Sequence, residues 1–333
     1  MKFGLFIYKH SHNNLINIGD YVQSIAARQF LPHIDKEIER DGLKQYTDDS
    51  VKLIMNGWFG YNPENWPPSN KIKPLFVSFH LNKNISDALM NNKKVVEYLK
   101  KNEPIGCRDY NTAKRMKAKG IDAYFSCCLT TTLNYDGNLF KNNIEKTNTI
   151  LLVDILFKEN ISLKIKRNKL YFFKELLNGN ILKFNKINNY IHSLIPEKNK
   201  KETKNLTCYY PANSSQYERF QSALDLLKEL ASAKVVVTSR IHIALPCLAL
   251  GTPVLFVIGD KLSNPDEFKR LDGIVDHMNI LIEEDFDTTM PHLKNMNFFY
   301  KSGIDWNNPP KNPISHEKFR DKLIKRVTDF IEK

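Results

Sequence analysis

The sequence predicts an α/β protein made of two Rossmann-like domains that face each other across a cleft and are closed by an amphipathic C-terminal helix. Two observations carry this expectation. Short runs rich in Val, Ile, Leu and Phe alternate with helix-period segments in both halves, the pattern of parallel sheets covered on both faces. The 333 residues are about twice a typical domain, and the polar stretch "YDGNLFKNNIEKTN" interrupts the alternation near the middle. The expected divisions are a first domain over 1–135, a linker over 136–148, a second domain over 149–311 carrying a basic insertion over 158–205, and a terminal helix over 312–333.

In order, "KFGLFIY" reads as a strand and "DYVQSIAARQFL" as a helix whose Val22, Ile25, Ala26 and Phe30 recur at i, i+3, i+4 and i+8, a core-facing stripe. "KLIMNG" and "PLFVSFH" are strands, "DALMNNKKVVEYLKKN" one long helix, "PIGCRD" a strand, "NTAKRMKAKG" a helix and "DAYFS" a strand. A second sheet starts at "NTILLVDI" and continues through "LTCYYP", the helix "YERFQSALDLLKELASA", the segment "VVVTSRIHIALPCLALGTPVLFV" and "GIVDHMNILI". In the last segment Phe319, Leu323, Val327, Phe330 and Ile331 share one helical face, with Ser315 placed to cap it.

Apolar content of 42% and charged content of 26% are those of a soluble globular chain. No run approaches the length of a membrane span and the N-terminus lacks the pattern of a signal peptide, so the expected location is the cytoplasm. Five cysteines without a C-x-x-C pair indicate neither zinc nor a disulfide framework. The net charge of +12 is concentrated, with twelve Lys and Arg against four Glu between Lys158 and Asn205. That stretch reads as a solvated helical insertion, the alternative being a basic surface for the inner face of the cytoplasmic membrane or for anionic glycan. No helix-turn-helix, zinc-finger or RNA-recognition pattern accompanies it, so no nucleic-acid partner is expected. "DFD" at 285–287 and "HSH" at 10–12 read as solvated loops rather than metal pairs.

Arg240 and His242 occupy the elbow between a buried strand and its helix, where open α/β sheets bind ligands. Pro246 argues that this helix starts near Ile243 or later, leaving Ser239 to His242 as a loop from which both side chains converge on one ligand. A loop ahead of a helix N-terminus also offers N–H groups to an anion. Other strand ends bring His80, Arg108, Asp109, Ser126 and Thr130 to the same edge, with Asp109 read as a helix N-cap. "NIGDYVQ" contributes Asn17, Gly19 and Asp20 at a further strand-to-helix loop. Neither a G-x-G-x-x-G nor a G-x-x-x-x-G-K-[ST] pattern occurs.

Together the stretches "NIGDYVQSIAARQFL", "IMNGWF" with "WPPSNKIKPLFVSFH", "IGCRDYNTAKRMKAKGIDAYFSCCLTTTL" and "VVVTSRIHIALPCLALGTPVLFV" resemble the polysaccharide pyruvyl transferase family. The resemblance implies a GT-B-like architecture and transfer of the enolpyruvyl group of phosphoenolpyruvate onto sugar hydroxyls of a cell-surface polysaccharide precursor, as a pyruvate ketal. It implies Arg240, Arg108, Ser239, Ser126 and Thr130 on the donor, His242 as the catalytic acid with His80 beside it, and Asn17, Gly19, Asp20, Asn56 and Gly57 elsewhere in the pocket. Phosphoenolpyruvate is then a co-substrate, with no cofactor or metal, and the acceptor is a glycan or lipid-linked oligosaccharide. Cys127 stands where the resemblance leads one to expect glycine.

The residue types suit that chemistry. Arginines and a helix N-terminus match a carboxylate and a phosphate, and histidine is the acid able to protonate a methylene carbon near neutral pH. Two other functions remain open on the residues alone: a GT-B glycosyltransferase using a nucleotide sugar, and a non-catalytic glycan-binding subunit of a capsule assembly complex.

Overall fold

The computed structural model describes residues 1–9, 11, 14–140, 142–157, 180–259 and 268–333. It is a mixed α/β structure with two six-stranded sheets, each wholly parallel.

The first half runs β1 (Lys2–Ile7), β2 (Leu15–Asn17), α1 (Ile18–Arg28), β3 (Lys36–Glu39), β4 (Val51–Phe59), β5 (Ile72–Leu81), α2 (Lys83–Asn91), α3 (Lys93–Lys101), β6 (Ile105–Cys107), α4 (Tyr110–Lys117) and β7 (Ala123–Phe125). Its sheet order is β3-β1-β4-β5-β6-β7. The single helix expected over 87–102 is two, because the Asn92 side chain accepts from Lys94 N and caps a new helix there. The second half runs β8 (Ile150–Val153), α5 (Asn180–Leu194), β9 (Thr203–Leu206), β10 (Tyr209–Pro211), α6 (Gln216–Ser232), β11 (Val235–Thr238), α7 (Ile241–Leu250), β12 (Val254–Phe256), β13 (Asn279–Ile282), β14 (Asn297–Tyr300) and α8 (Glu317–Glu332), with sheet order β14-β13-β12-β11-β8-β9.

Period-2 burial explains the second sheet. Val235, Val237, Ile150, Leu152 and Leu255 face one apolar cluster, where Ile187, Ile191 and Leu194 of α5 cover them, while Val236, Leu151 and Val153 face the larger core. The described part of the basic insertion thus uses its apolar residues to cover a sheet. Residues 158–179, to which the rest of that expectation refers, lie outside the described residues.

The ties between the halves include the β2–β10 ribbon and the terminal helix. β2 pairs antiparallel with β10, Leu15 opposite Pro211 and Asn17 opposite Tyr209, and Ile18 N donates to Cys208 O at 2.7 Å. Beside this ribbon Arg219 of α6 donates to Tyr8 O, Tyr21 Oη and Ala212 O. The terminal helix α8 returns to the first half. Lys52 Nζ donates to Ile331 O at 3.1 Å, Arg326 to Pro104 O at 2.7 Å, and Leu323 and Val327 are buried. Each buried aliphatic side chain contributes about 1.5–3 kcal/mol. Ser315 does not cap α8: its hydroxyl bonds His277 Nδ1 at 2.7 Å, and His316 occupies the N-cap position. No described helix is long and apolar enough to cross a membrane.

Candidate functional site

Each sheet changes winding direction beside its first strand, at β1/β4 in one and β8/β11 in the other. Such switch points open a crevice at the strand C-terminal ends. A cavity of about 280 Å³ lies there, lined by Asn17, Gly19 and Asp20 before and in α1, Trp58 of β4 and Tyr61 after it, His80 of β5, Arg108 after β6, Tyr209 of β10, and Ser239, Arg240 and His242 around β11 and α7, with Arg40 and Arg270. Among the described residues four guanidinium groups and two imidazoles therefore meet one carboxylate, Asp20.

The elbow differs from expectation. α7 begins at Ile241, so His242 is in its first turn and Pro246 lies inside the helix, where its missing N–H leaves the His242 carbonyl without the usual donor. Convergence survives because Arg240 is the N-cap residue in extended conformation (φ −102°, ψ 121°), which turns its side chain away from the helical sequence of directions. Arg240 Nε bonds Asp154 Oδ2 at 3.0 Å and its guanidinium lies over the Tyr209 ring, while Arg108 Nη1 is 3.3 Å from His242 Nε2. No side chain caps α7, so its first N–H groups remain available to an anion. Gly19 lets α1 close on this point, since a Cβ there would be 3.2 Å from His242 Cβ.

His80 is 3% exposed and its Nδ1 lies 2.6 Å from Asp109 Oδ2; Asp109 also caps α4 by accepting from Thr112 N. A bulge aims this histidine: Met55 pairs with Phe76 but Gly57 with Phe79, and the extra residue on β5 accompanies Ser78 at φ +54°. Ser78 N donates to Ser126 Oγ, which in turn donates to Cys107 O. Ser126 thus holds the bulge and does not line the cavity. Thr130 is fully buried with its hydroxyl on Cys128 Sγ, and Asn56 is spent on Gln23 O. Gly57, at φ +114°, makes room for Gln23, whose Oε1 would be 3.1 Å from a Cβ. These four residues support the cavity from behind. Ser239 lines it, although its Oγ accepts from Leu156 N and donates to Val257 O. Cys127 has φ +62°, the backbone for which glycine was expected.

Sequence reasoning missed Arg40, Trp58, Tyr61, Tyr209 and Arg270. Arg40 follows β3 in the polar run "EIERDGLKQ", which has no apolar period to mark it; the signal available was an arginine just past a short β-rich strand. Asp287, of the "DFD" loop, accepts from Thr289 N and Oγ1; His10 and His12 lie outside the described residues. Among the described residues no three His, Cys, Asp or Glu gather as a metal site.

Burial and the neighbouring charges of Arg108, His80, Arg240 and Arg270 push the His242 pKa well below its ordinary value. His80 is also lowered, by burial first and Arg108 second, against the opposing pull of Asp109. Burial raises Asp20, and Arg40 opposes that rise. The cavity is thus lined by an excess of cationic groups, and its two histidines are shifted toward their neutral forms.

No curated protein matches the chain. Among solved structures, a crystal structure described as a functional uncharacterized protein from Klebsiella pneumoniae is similar at a TM-score of 0.42 and 15% identity, over 89% of this chain and 92% of that one. The family model for polysaccharide pyruvyl transferase matches residues 17–260, a span holding every cavity residue named above except Arg270. The chain belongs to the polysaccharide pyruvyl transferase family.

Proposed function

We propose that the chain transfers the enolpyruvyl group of phosphoenolpyruvate to two hydroxyls of one sugar in a cell-surface polysaccharide precursor, closing a pyruvate ketal within a GT-B-like arrangement. The observation that supports this most directly is the cationic cavity: Arg108, Arg240 and the uncapped α7 N-terminus converge where His242 is in hydrogen-bond reach of Arg108. A carboxylate and a phosphate on adjacent atoms are a good complement to that set. With the anionic donor seated, local charge reverses and His242 gains a proton, which it gives to the methylene carbon as a sugar oxygen adds to C2. Phosphate then leaves and the second hydroxyl closes the ring, while the arginines stabilise the phosphate. The donor is a cytoplasmic metabolite, so the acceptor is best placed as a glycan or lipid-linked oligosaccharide at the inner membrane face.

Mass spectrometry of glycan precursors incubated with phosphoenolpyruvate tests the reading. Release of one phosphate with a mass gain equal to pyruvate less water supports pyruvyl transfer, and a product without vinyl protons separates the ketal from an open enolpyruvyl ether of the same mass. Stabilisation by nucleotide sugars and not by phosphoenolpyruvate, read by thermal shift, overturns it.

A further inference from the structure

We propose that the end of the cavity formed by Asp20, Arg40 and Trp58 is the acceptor subsite, where a hydroxyl of a pyranose sits between the Asp20 carboxylate and the Arg40 guanidinium and gives its proton to Asp20 as it attacks. The proposal rests on the pyruvyl-transfer reading above.

Arg40 is 3% exposed and its guanidinium is held on several sides. Nε and Nη2 donate to Asp41 at 3.4 and 3.1 Å, and the group lies 4.9 Å from the Tyr8 ring centre and 5.5 Å from that of Trp58. Only Nη1 is left without a hydrogen-bond partner, and it stands 4.0 Å from Asp20 Oδ2. That is too far for a direct hydrogen bond, and Nη1 is closed to solvent as it stands, so an oxygen about 2.9 Å from each atom enters only with a small shift of the Asp20 or Trp58 side chain. The bridging group must accept from a guanidinium and donate to a carboxylate at once, which a hydroxyl does and an ionised phosphate or carboxylate cannot. Asp20 also repels anions, so this end rejects the charged groups of the donor and leaves them to Arg108 and Arg240.

The carboxylate is oriented for the task. Gln23 Nε2 donates to Asp20 Oδ1 at 3.1 Å, which leaves Oδ2 toward Arg40. Burial raises the Asp20 pKa, which makes it a stronger base. Beside the pair Trp58 lines the cavity with Tyr61 edge-on to it at 4.8 Å, an apolar surface suited to the C–H face of a pyranose. Gly60 seats the indole: a Cβ there would be 2.2 Å from Cζ2 and Cη2.

The protons balance. The first hydroxyl loses its proton to Asp20 as its oxygen bonds C2, and C3 takes a proton from His242. The bond from C2 to the phosphate oxygen then breaks, the second hydroxyl bonds C2 and returns its proton to His242, and Asp20 gives its proton to water while the departing phosphate takes one from water.

The test uses the full chain with phosphoenolpyruvate and three probes: the methyl β-glycosides of glucose, galactose and mannose. Trp66 and Trp306 are 5% and 4% exposed, so a change in tryptophan emission on adding glycoside reports Trp58. At least one glycoside should change emission saturably, and Trp58→Phe should abolish the change. Asp20→Asn should keep or tighten phosphoenolpyruvate binding, raise the glycoside half-saturation about tenfold and slow phosphate release by about 10²–10⁴-fold. Should Asp20→Asn fail to fold, Asp20→Glu, with its longer arm, must show the same glycoside loss with donor binding kept. Silence of Trp58 toward all three glycosides, or an Asp20 variant that loses the donor and keeps the sugar, overturns the proposal. A wild-type chain that binds glycoside but not phosphoenolpyruvate overturns the donor reading and leaves the sugar subsite standing.

Discussion

Arg108 Nη1 stands 3.3 Å from His242 Nε2. A guanidinium only donates, so this contact requires a lone pair on Nε2 and makes His242 the neutral Nδ1–H tautomer. Its lowered pKa agrees, with burial the largest cause and Arg108 the next. Phosphoenolpyruvate binding should therefore take up about one proton near pH 7. The sign is set by a pKa that rises on binding: affinity falls as pH rises through the pKa of the complex. Calorimetry in buffers of different ionisation enthalpy should show the uptake in wild type and none in His242→Gln, whose turnover should drop by about 10²–10⁴-fold.

Arg240 is paired with Asp154, whose side chain is fully buried. Arg240→Ala should weaken the donor by about 2–5 kcal/mol, read as the dissociation constant of phosphoenolpyruvate, and should also lower the unfolding midpoint because Asp154 loses its cation. Arg240→Lys should restore little, since it cannot both bond Asp154 through Nε and cover Tyr209.

Ser126 holds the bulge two residues before His80. Ser126→Ala removes the acceptor of Ser78 N at the bulge, which costs about 1–3 kcal/mol in denaturant titration. Turnover should fall as His80 shifts, while the dissociation constant of phosphoenolpyruvate should change less than threefold, an outcome opposite to that of a donor ligand.

His277 connects the second half to α8. It bonds Ser315 and packs on Phe125 and Phe319, and burial, with His316 and Lys318, lowers its pKa to about 4. A depressed folded pKa means stability that is complete above the ordinary histidine value of about 6.5 and is lost as pH falls toward 4, by about 3 kcal/mol. Unfolding midpoints of wild type should drop across that window, and those of His277→Gln should drop less.

The strands were legible as short apolar runs buried on both faces, as in Val235 to Val237, and most helices from a period of 3.6, as in Val22, Ile25 and Ala26. Arg240, His242, Arg108 and His80 were legible as polar residues at buried strand ends. The split of α2 from α3 was not, because a side-chain cap at Asn92 overrides a continuing apolar period. Ser126, Asn56 and Thr130 stand at equally polar strand-end positions, and only their hydrogen-bond partners separate support from contact with the cavity. Arg40 and the β2–β10 pairing were invisible for a different reason. Their partners, Asp20 with Trp58 and Asn17 with Tyr209, are set by long-range packing that no local pattern encodes.

The return of Glu317–Glu332 to the first half has a consequence for biosynthesis. On the ribosome the first sheet is complete once Phe125 has emerged, but Ile331 and Arg326, the partners of Lys52 and Pro104, are made much later. At about 5–20 residues per second the nascent first half waits roughly ten to forty seconds with that seam uncovered. In the first part of that interval β2 lacks β10, and the wall of the cavity carrying Arg240 and His242 has not been made. The cavity is therefore complete only after both halves have been made.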